Sequence, residues 1–156
     1  MIKKIIVGIS LLVGSTLLAQ TPKENNTTNI EQKKKALSDK NLVVFVSNHD
    51  LQIAGMGLGM ALSAVKQGAN VTVVLGANAV KYALQDGEQN VYFAKKRTLR
   101  ALLQAIIKGK GVIQLCAANT EEMNLDEEDF IEGVNIVIST EIFAKVFDEN
   151  TRVISF

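Results

Sequence analysis

Residues 102–120 read LLQAIIKGKGVIQLCAANT, and this stretch decides the fold. Leu99, Leu102, Leu103, Ile106 and Ile107 share one side of an amphipathic helix expected over Thr98 to Lys108. After a Gly-Lys-Gly turn, Val112 to Leu115 form a short apolar strand that ends on Cys116. The same alternation extends outward in both directions. Leu42 to Val46 is a continuous β-branched and aromatic run, as expected of a strand buried on both faces. Asn48, His49 and Asp50 end it, and Leu51 to Gln67 reads as a helix stopped by Gly68. Val71 to Leu75 is a second strand, Ala77 to Leu84 a short helix, and Asp86-Gly87 a turn. Downstream, Thr120 to Met123 reads as a helical turn. Val134 to Ile138 is a fourth strand, Thr140 to Phe147 a helix and Arg152 to Phe156 a closing strand.

Strand and helix alternating in this way imply an α/β fold, with a mainly parallel five-stranded sheet and helices on both faces. Functional groups in such sheets gather beyond the carboxyl ends of the strands. Those positions are Asn48 to Asp50, Gly76 to Asn78, Cys116 to Asn119 and Ser139 to Glu141.

The chain has 156 residues, 47% of them hydrophobic, enough for one domain with a core that needs no metal or disulfide staple. One cysteine and one histidine build neither an internal disulfide nor a Cys/His zinc site. A net charge of +1 argues against a generic nucleic-acid binder. No cofactor motif is legible. Gly55-Met56-Gly57-Leu58-Gly59-Met60 lacks both the dinucleotide spacing and the Gly-Lys-Ser/Thr of a phosphate loop. Close packing by Gly55 and Gly59, one helical turn apart, is its expected role, with Met56 and Met60 as core or interface fillers. Ser47, Ser63 and Ser139 have no histidine and acid placed to suggest a triad.

Met1 to Gln20 carries Lys3 and Lys4, an uncharged apolar stretch from Ile5 to Leu18, and then Ala19. This is the layout of a secretory signal peptide over residues 1–19, which places the protein in the periplasm. An uncleaved anchor is the alternative, although the apolar run is shorter than the ~20 residues of a spanning helix. Cleavage would leave 137 residues and a net charge of −1. Residues 20–40, rich in Asn, Thr, Lys and Glu, read as a flexible linker to a folded domain over residues 41–156.

Two readings of Cys116 stand side by side. It is a small buried hydrophobe at a strand end, or it is a nucleophilic thiol whose thiolate carries the chemistry. Ala117, Ala118 and Asn119 lead toward a helix start, whose free N–H groups favour an anionic sulfur. Lys95, Lys96, Arg97, Arg100, Lys108 and Lys110 precede Cys116. Glu121, Glu122, Asp126, Glu127, Glu128, Asp129 and Glu132 follow it. These are two solvated faces, or a positive field for anions such as thiosulfate, or complementary patches that join subunits. His49 is a candidate base beside the thiol, or a loop residue that caps the next helix with Asp50.

The strings LVVFVSNHD (42–50), KQGANVTVVLGANAV (66–80), LLQAIIKGKGVIQLCAANT (102–120) and EEDFIEGVNIVISTEIFAKVFDENTRVISF (127–156) occur in an order that resembles the DsrE/DsrF-like family, which includes the TusD and YchN proteins. The resemblance covers about Leu42 to Phe156. It implies a three-layer α/β/α sandwich assembled as a homo-oligomer, a trimer or a hexamer. It further implies that Cys116 matches the family's sulfur-carrying cysteine, which holds a persulfide and passes it between a donor and an acceptor. The expected function is therefore a periplasmic sulfur carrier or sulfurtransferase-like protein. A non-catalytic oligomeric binding or scaffold protein of the same fold is the alternative.

Overall fold

The computed structural model describes residues 37–87, 91–92 and 97–156. The expected signal peptide, most of the linker, and Lys95 and Lys96 lie outside the described residues. Five strands form one sheet: β1 (Asn41–Val46), β2 (Asn70–Leu75), β5 (Val112–Cys116), β6 (Val134–Val137) and β7 (Thr151–Ser155). Their order is β6-β5-β2-β1-β7, and every pairing is parallel. The sheet is thus wholly parallel, in keeping with the near-continuous apolar runs of its inner strands. Two two-residue strands, β3 (Val91–Tyr92) and β4 (Arg97–Thr98), pair as a separate antiparallel ribbon. They are too short to leave a periodic signal in sequence.

The helices are α1 (Leu51–Lys66), α2 (Leu99–Lys108), α3 (Ala117–Glu122) and α4 (Ser139–Val146), with 3-10 turns at Ala77–Ala83 and Glu127–Asp129. Local chemistry sets their ends. The Asp50 carboxylate accepts the N–H groups of Gln52 and Ile53, and Gly68 follows α1 in the left-handed region at φ 94°. Thr98 caps α2 by accepting the Ala101 N–H, so the helix expected from Thr98 begins at Leu99. The helical turn expected at Thr120 starts three residues earlier, straight after Cys116. Leu37 to Asp39, at the end of the expected linker, form a turn. Asn70 donates its backbone N–H to the Lys40 carbonyl and its side-chain amide to that of Ser38.

One sheet face carries the main core. Val44, Val46, Val73, Leu75, Ile113 and Leu115 are buried beneath Ala54, Leu58 and Ala61 of α1 and Leu103 and Ile106 of α2. Each such side chain contributes roughly 1.5–3 kcal/mol when fully buried. The glycine expectation needs correcting. A Cβ on Gly59 would meet nothing within 4 Å, whereas one on Gly57 would lie 2.8 Å from the Phe156 ring. Gly57 is therefore the position where α1 closes on the end of β7. Met56 and Met60 are about half exposed and belong to the outer surface of α1, not to the core.

The opposite face is covered, among the described residues, by α4 alone. Val43, Val74 and Val137 pack there with Ile142. Phe143 and Phe147 on the outer side of α4 stand 53% and 80% exposed, their rings 6.0 Å apart. The connection through α4 carries the chain from one sheet edge, β6, to the other, β7 beside β1.

Candidate functional site

The parallel arrangement brings the exits of β1, β2, β5 and β6 to one end of the sheet. Cys116 is the last residue of β5, in register with Val137 of β6, and it occupies the N-cap position of α3. It is a free thiol and is partly exposed. The residue is therefore not fully buried. Along β5 the buried side chains of Ile113 and Leu115 belong to the main core. Gln114 and Cys116 alternate with them and take the other face.

Specific hydrogen bonds tie together the strand exits at this end of the sheet. The Asn119 side chain accepts the Ala77 N–H at 2.8 Å, which ties the start of α3 to the exit of β2. Ala77 has φ 45°, a left-handed backbone that costs an alanine about 1–2 kcal/mol. The Tyr82 hydroxyl donates to the Asn48 carbonyl at 3.3 Å and links the 3-10 turn to the exit of β1. Burial, with the nearby Asp50 charge second, raises the pKa of Tyr82 above the ordinary phenol value. Asn119 was named in sequence only as a residue beyond a strand end, and Tyr82 did not stand out. Each acts on a partner more than 30 residues away.

His49 is exposed in the loop between β1 and α1. It lines an open cavity of about 740 Å3 with Leu51, Asn78, Lys81, Tyr82 and Leu84, and Cys116 is not among the lining residues. β2 lies between β1 and β5, so the two exits are separated by roughly 10 Å of sheet. The helix cap is made by Asp50, whose own N–H is accepted by the Asn48 side chain.

Of the basic residues that precede Cys116, Lys108 and Lys110 stand away from it, and Lys95 and Lys96 lie outside the described residues. Lys110 and Cys116 lie on either side of β5, six residues or roughly 20 Å of extended chain apart. That is more than twice the Debye length of ~8 Å at physiological salt. Lys108 ends α2 at the same far side of the strand. Arg100 donates to the Gly87 carbonyl at 2.8 Å. Sequence adjacency misled because a strand carries its two ends to opposite edges of the sheet. Among the described residues no group of three or more His, Cys, Asp or Glu side chains is arranged to hold a metal ion. No described helix is long and apolar enough to cross a membrane.

A five-stranded parallel sheet with helices on both faces and a lone thiol at the carboxyl end of an inner strand defines a class of compact α/β proteins. The sequence matches the model of the DsrE/DsrF-like family over residues 40–156. The chain belongs to that family. Among solved structures it is similar to the YchN protein of E. coli, with a TM-score of 0.66 at 16% identity, over 75% of this chain and 99% of that one. MTH1491 from Methanobacterium thermoautotrophicum, described as a protein of unknown function, gives 0.61 at 15% identity over 75% and 99%. BT1422 from Bacteroides thetaiotaomicron, likewise described, gives 0.57 at 12% identity over 76% and 96%. At such identities these likenesses carry the fold alone. A comparison with curated proteins returned no match.

Proposed function

We propose that this protein is an exported sulfur carrier in which Cys116 holds sulfane sulfur as a persulfide. The observation that carries this reading is the placement of the chain's one thiol. It is partly exposed, at the carboxyl end of an inner strand, in a family associated with sulfur relay. Cys116 would act as thiolate. Its sulfur attacks the outer sulfur of a donor such as thiosulfate, a Cys–S–S bond forms, and the donor's S–S bond breaks. Sulfite leaves with the electron pair of that bond. An acceptor thiolate then attacks the outer sulfur of the persulfide and regenerates the Cys116 thiolate. No net oxidant or reductant is needed, because each step exchanges one sulfur–sulfur bond for another. The Asn119 bond supports the reading by tying the helix that follows Cys116 to the exit of the neighbouring strand β2.

Incubation with thiosulfate or polysulfide, followed by intact mass measurement, tests it. A gain of one sulfur that disappears in Cys116→Ser is expected. No gain, with a thiol that also fails to react with an aromatic disulfide, refutes it. One observation favours the scaffold alternative: Lys108 and Lys110, close to Cys116 in sequence, stand at the other end of β5. That reading requires Cys116→Ser to leave the physiological role intact, and loss of the role with unchanged folding removes it. Export is tested separately by the mass of the mature N-terminus. A chain beginning near residue 20 supports it, and one that retains residues 1–19 removes cleavage.

A further inference from the structure

The two faces of β5 differ in chemistry. Ile113 and Leu115 enter the main core, where the neighbouring strands contribute Val44, Val46, Val73 and Leu75. Val112, Gln114 and Cys116 point the other way, to the face covered by α4. On that face Gln114 stands in register with Val74 of β2 and Asn135 of β6, one strand to each side. It is 5% exposed, and its side-chain oxygen is buried with no hydrogen-bond partner among the described residues. Burying an amide oxygen in this way is destabilising, and an aliphatic residue would suit an inner strand at least as well. An unpaired buried polar group in a folded chain calls for an explanation, and a partner that arrives only when the protein works supplies one.

Cys116 follows two residues later on the same face, roughly 7 Å along the strand. Side chains in strands lean along the strand, and a glutamine is long enough to cover most of that spacing. In the resting thiol no hydrogen bond joins the Gln114 amide to the Cys116 sulfur. A persulfide extends the cysteine by one S–S bond of about 2.0 Å, and its outer sulfur carries the negative charge. Charge on the adjoining elements does not favour that anion. Glu121 and Glu122 of α3 and Glu141 of α4 are exposed and acidic. Lys81, in the 3-10 turn packed beside α3, lines the cavity of His49, and Cys116 is not among the residues that do. Lys108 and Lys110 stand at the other end of β5. What this face itself supplies is a neutral donor. Of its buried polar residues, Thr72 lies beside Val112, farther from the thiol, and Gln114 is the closer along the strand.

We propose that Gln114 holds the sulfur that Cys116 carries. Its side-chain amide turns to present N–H to the outer sulfur of the persulfide, and the hydrogen bond to that anionic sulfur stabilises the loaded state. The amide gives up no proton and forms no covalent bond, so the exchange of one sulfur–sulfur bond for another stays balanced. This role rests on the sulfur-carrier reading and deepens it by naming the residue that retains the sulfur. The contact is with the outer sulfur alone, so Gln114 favours loaded over free Cys116 without altering the resting thiol. A destabilising amide on an inner strand is then accounted for by function.

The variants that test this are Gln114→Leu and Gln114→Met, the second keeping an unbranched side chain of similar length. Circular dichroism and urea unfolding establish that each folds. The full chains are equilibrated with thiosulfate and sulfite at a fixed ratio, and intact mass gives the ratio of persulfide to free Cys116. Wild type is expected to load. Each variant is expected to show a loaded-to-free ratio about tenfold lower, the size of a hydrogen bond to a charged partner. The pH profile of the reaction with an aromatic disulfide is expected to stay unchanged, because the amide does not touch the resting sulfur. Folded variants that load like wild type would overturn the role of Gln114 and leave the carrier reading standing. Variants whose thiol reactivity falls together with loading would overturn it too, since that is the mark of a disturbed strand end. A wild-type chain that gains no sulfur removes the carrier reading itself, and the role of Gln114 with it.

Discussion

Substitution of Asn119 by alanine probes how the rim around Cys116 is held. The Asn119 side chain accepts the Ala77 N–H at 2.8 Å, across 42 residues of sequence. Ala77 pays for that geometry with φ 45°. A neutral hydrogen bond of this kind contributes about 0.5–1.5 kcal/mol net, and the strain at Ala77 offsets about 1–2 kcal/mol. Asn119→Ala loses the bond but lets part of that strain relax, so it should destabilise by about 0.5 kcal/mol, a fall of about 2 °C in melting temperature for a domain of this size. Ala77→Gly should stabilise by about 0.5–1 kcal/mol, since glycine relieves the strain but adds freedom to the unfolded chain. The two changes should couple. Without the Asn119 acceptor the turn can leave the left-handed region, so Ala77→Gly should gain little in the Asn119→Ala background. Urea unfolding of the four species of the double-mutant cycle measures this, with a coupling of about 0.5 kcal/mol expected. Additive effects, or an Asn119→Ala chain as stable as wild type, would refute the idea that this bond holds the rim in a strained state.

Three further outcomes are expected. Gln114 is 5% exposed and its side-chain oxygen finds no partner among the described residues, so Gln114→Leu should be neutral or stabilise by up to about 1 kcal/mol, read by urea unfolding. Asp50→Ala removes the acceptor for two N–H groups at the start of α1 and should cost about 1 kcal/mol in the same assay. In an ultraviolet titration, one tyrosine should ionise above the ordinary value near 10, and Tyr82→Phe should abolish that step. The raised folded-state value means that this stabilisation is fully present below the unfolded pKa. It is lost as pH climbs through the folded one.

The element order was legible because the inner strands carry long apolar β-branched runs and α2 has a clear helical stripe. Val71 to Leu75 could hardly be anything but a buried strand. The ribbon Val91–Tyr92 with Arg97–Thr98 was not legible, since two residues show no period. The role given to Gly59 belongs to Gly57 because helical spacing names a face without saying what lies opposite. Phe156, at the far end of the chain, is what lies there. At the site, Cys116 was found from its place after a strand. The bond from Ala77 to Asn119 was not legible, because that partner is chosen by strand order.

By itself the sequence determined the alternation of strands and helices, the parallel sheet, and the position of its one thiol at a strand's carboxyl end. These follow from local periodicity and from the short reach of strand–helix connections. Only the tertiary structure decided what surrounds that thiol. Strand order sets β2 between the exits of His49 and Cys116 and carries Lys108 and Lys110 to the far edge of the sheet. The physical reason is that charge acts through space. Neighbours along an extended strand are separated by its full length, while residues distant in sequence meet across a spacing of about 5 Å.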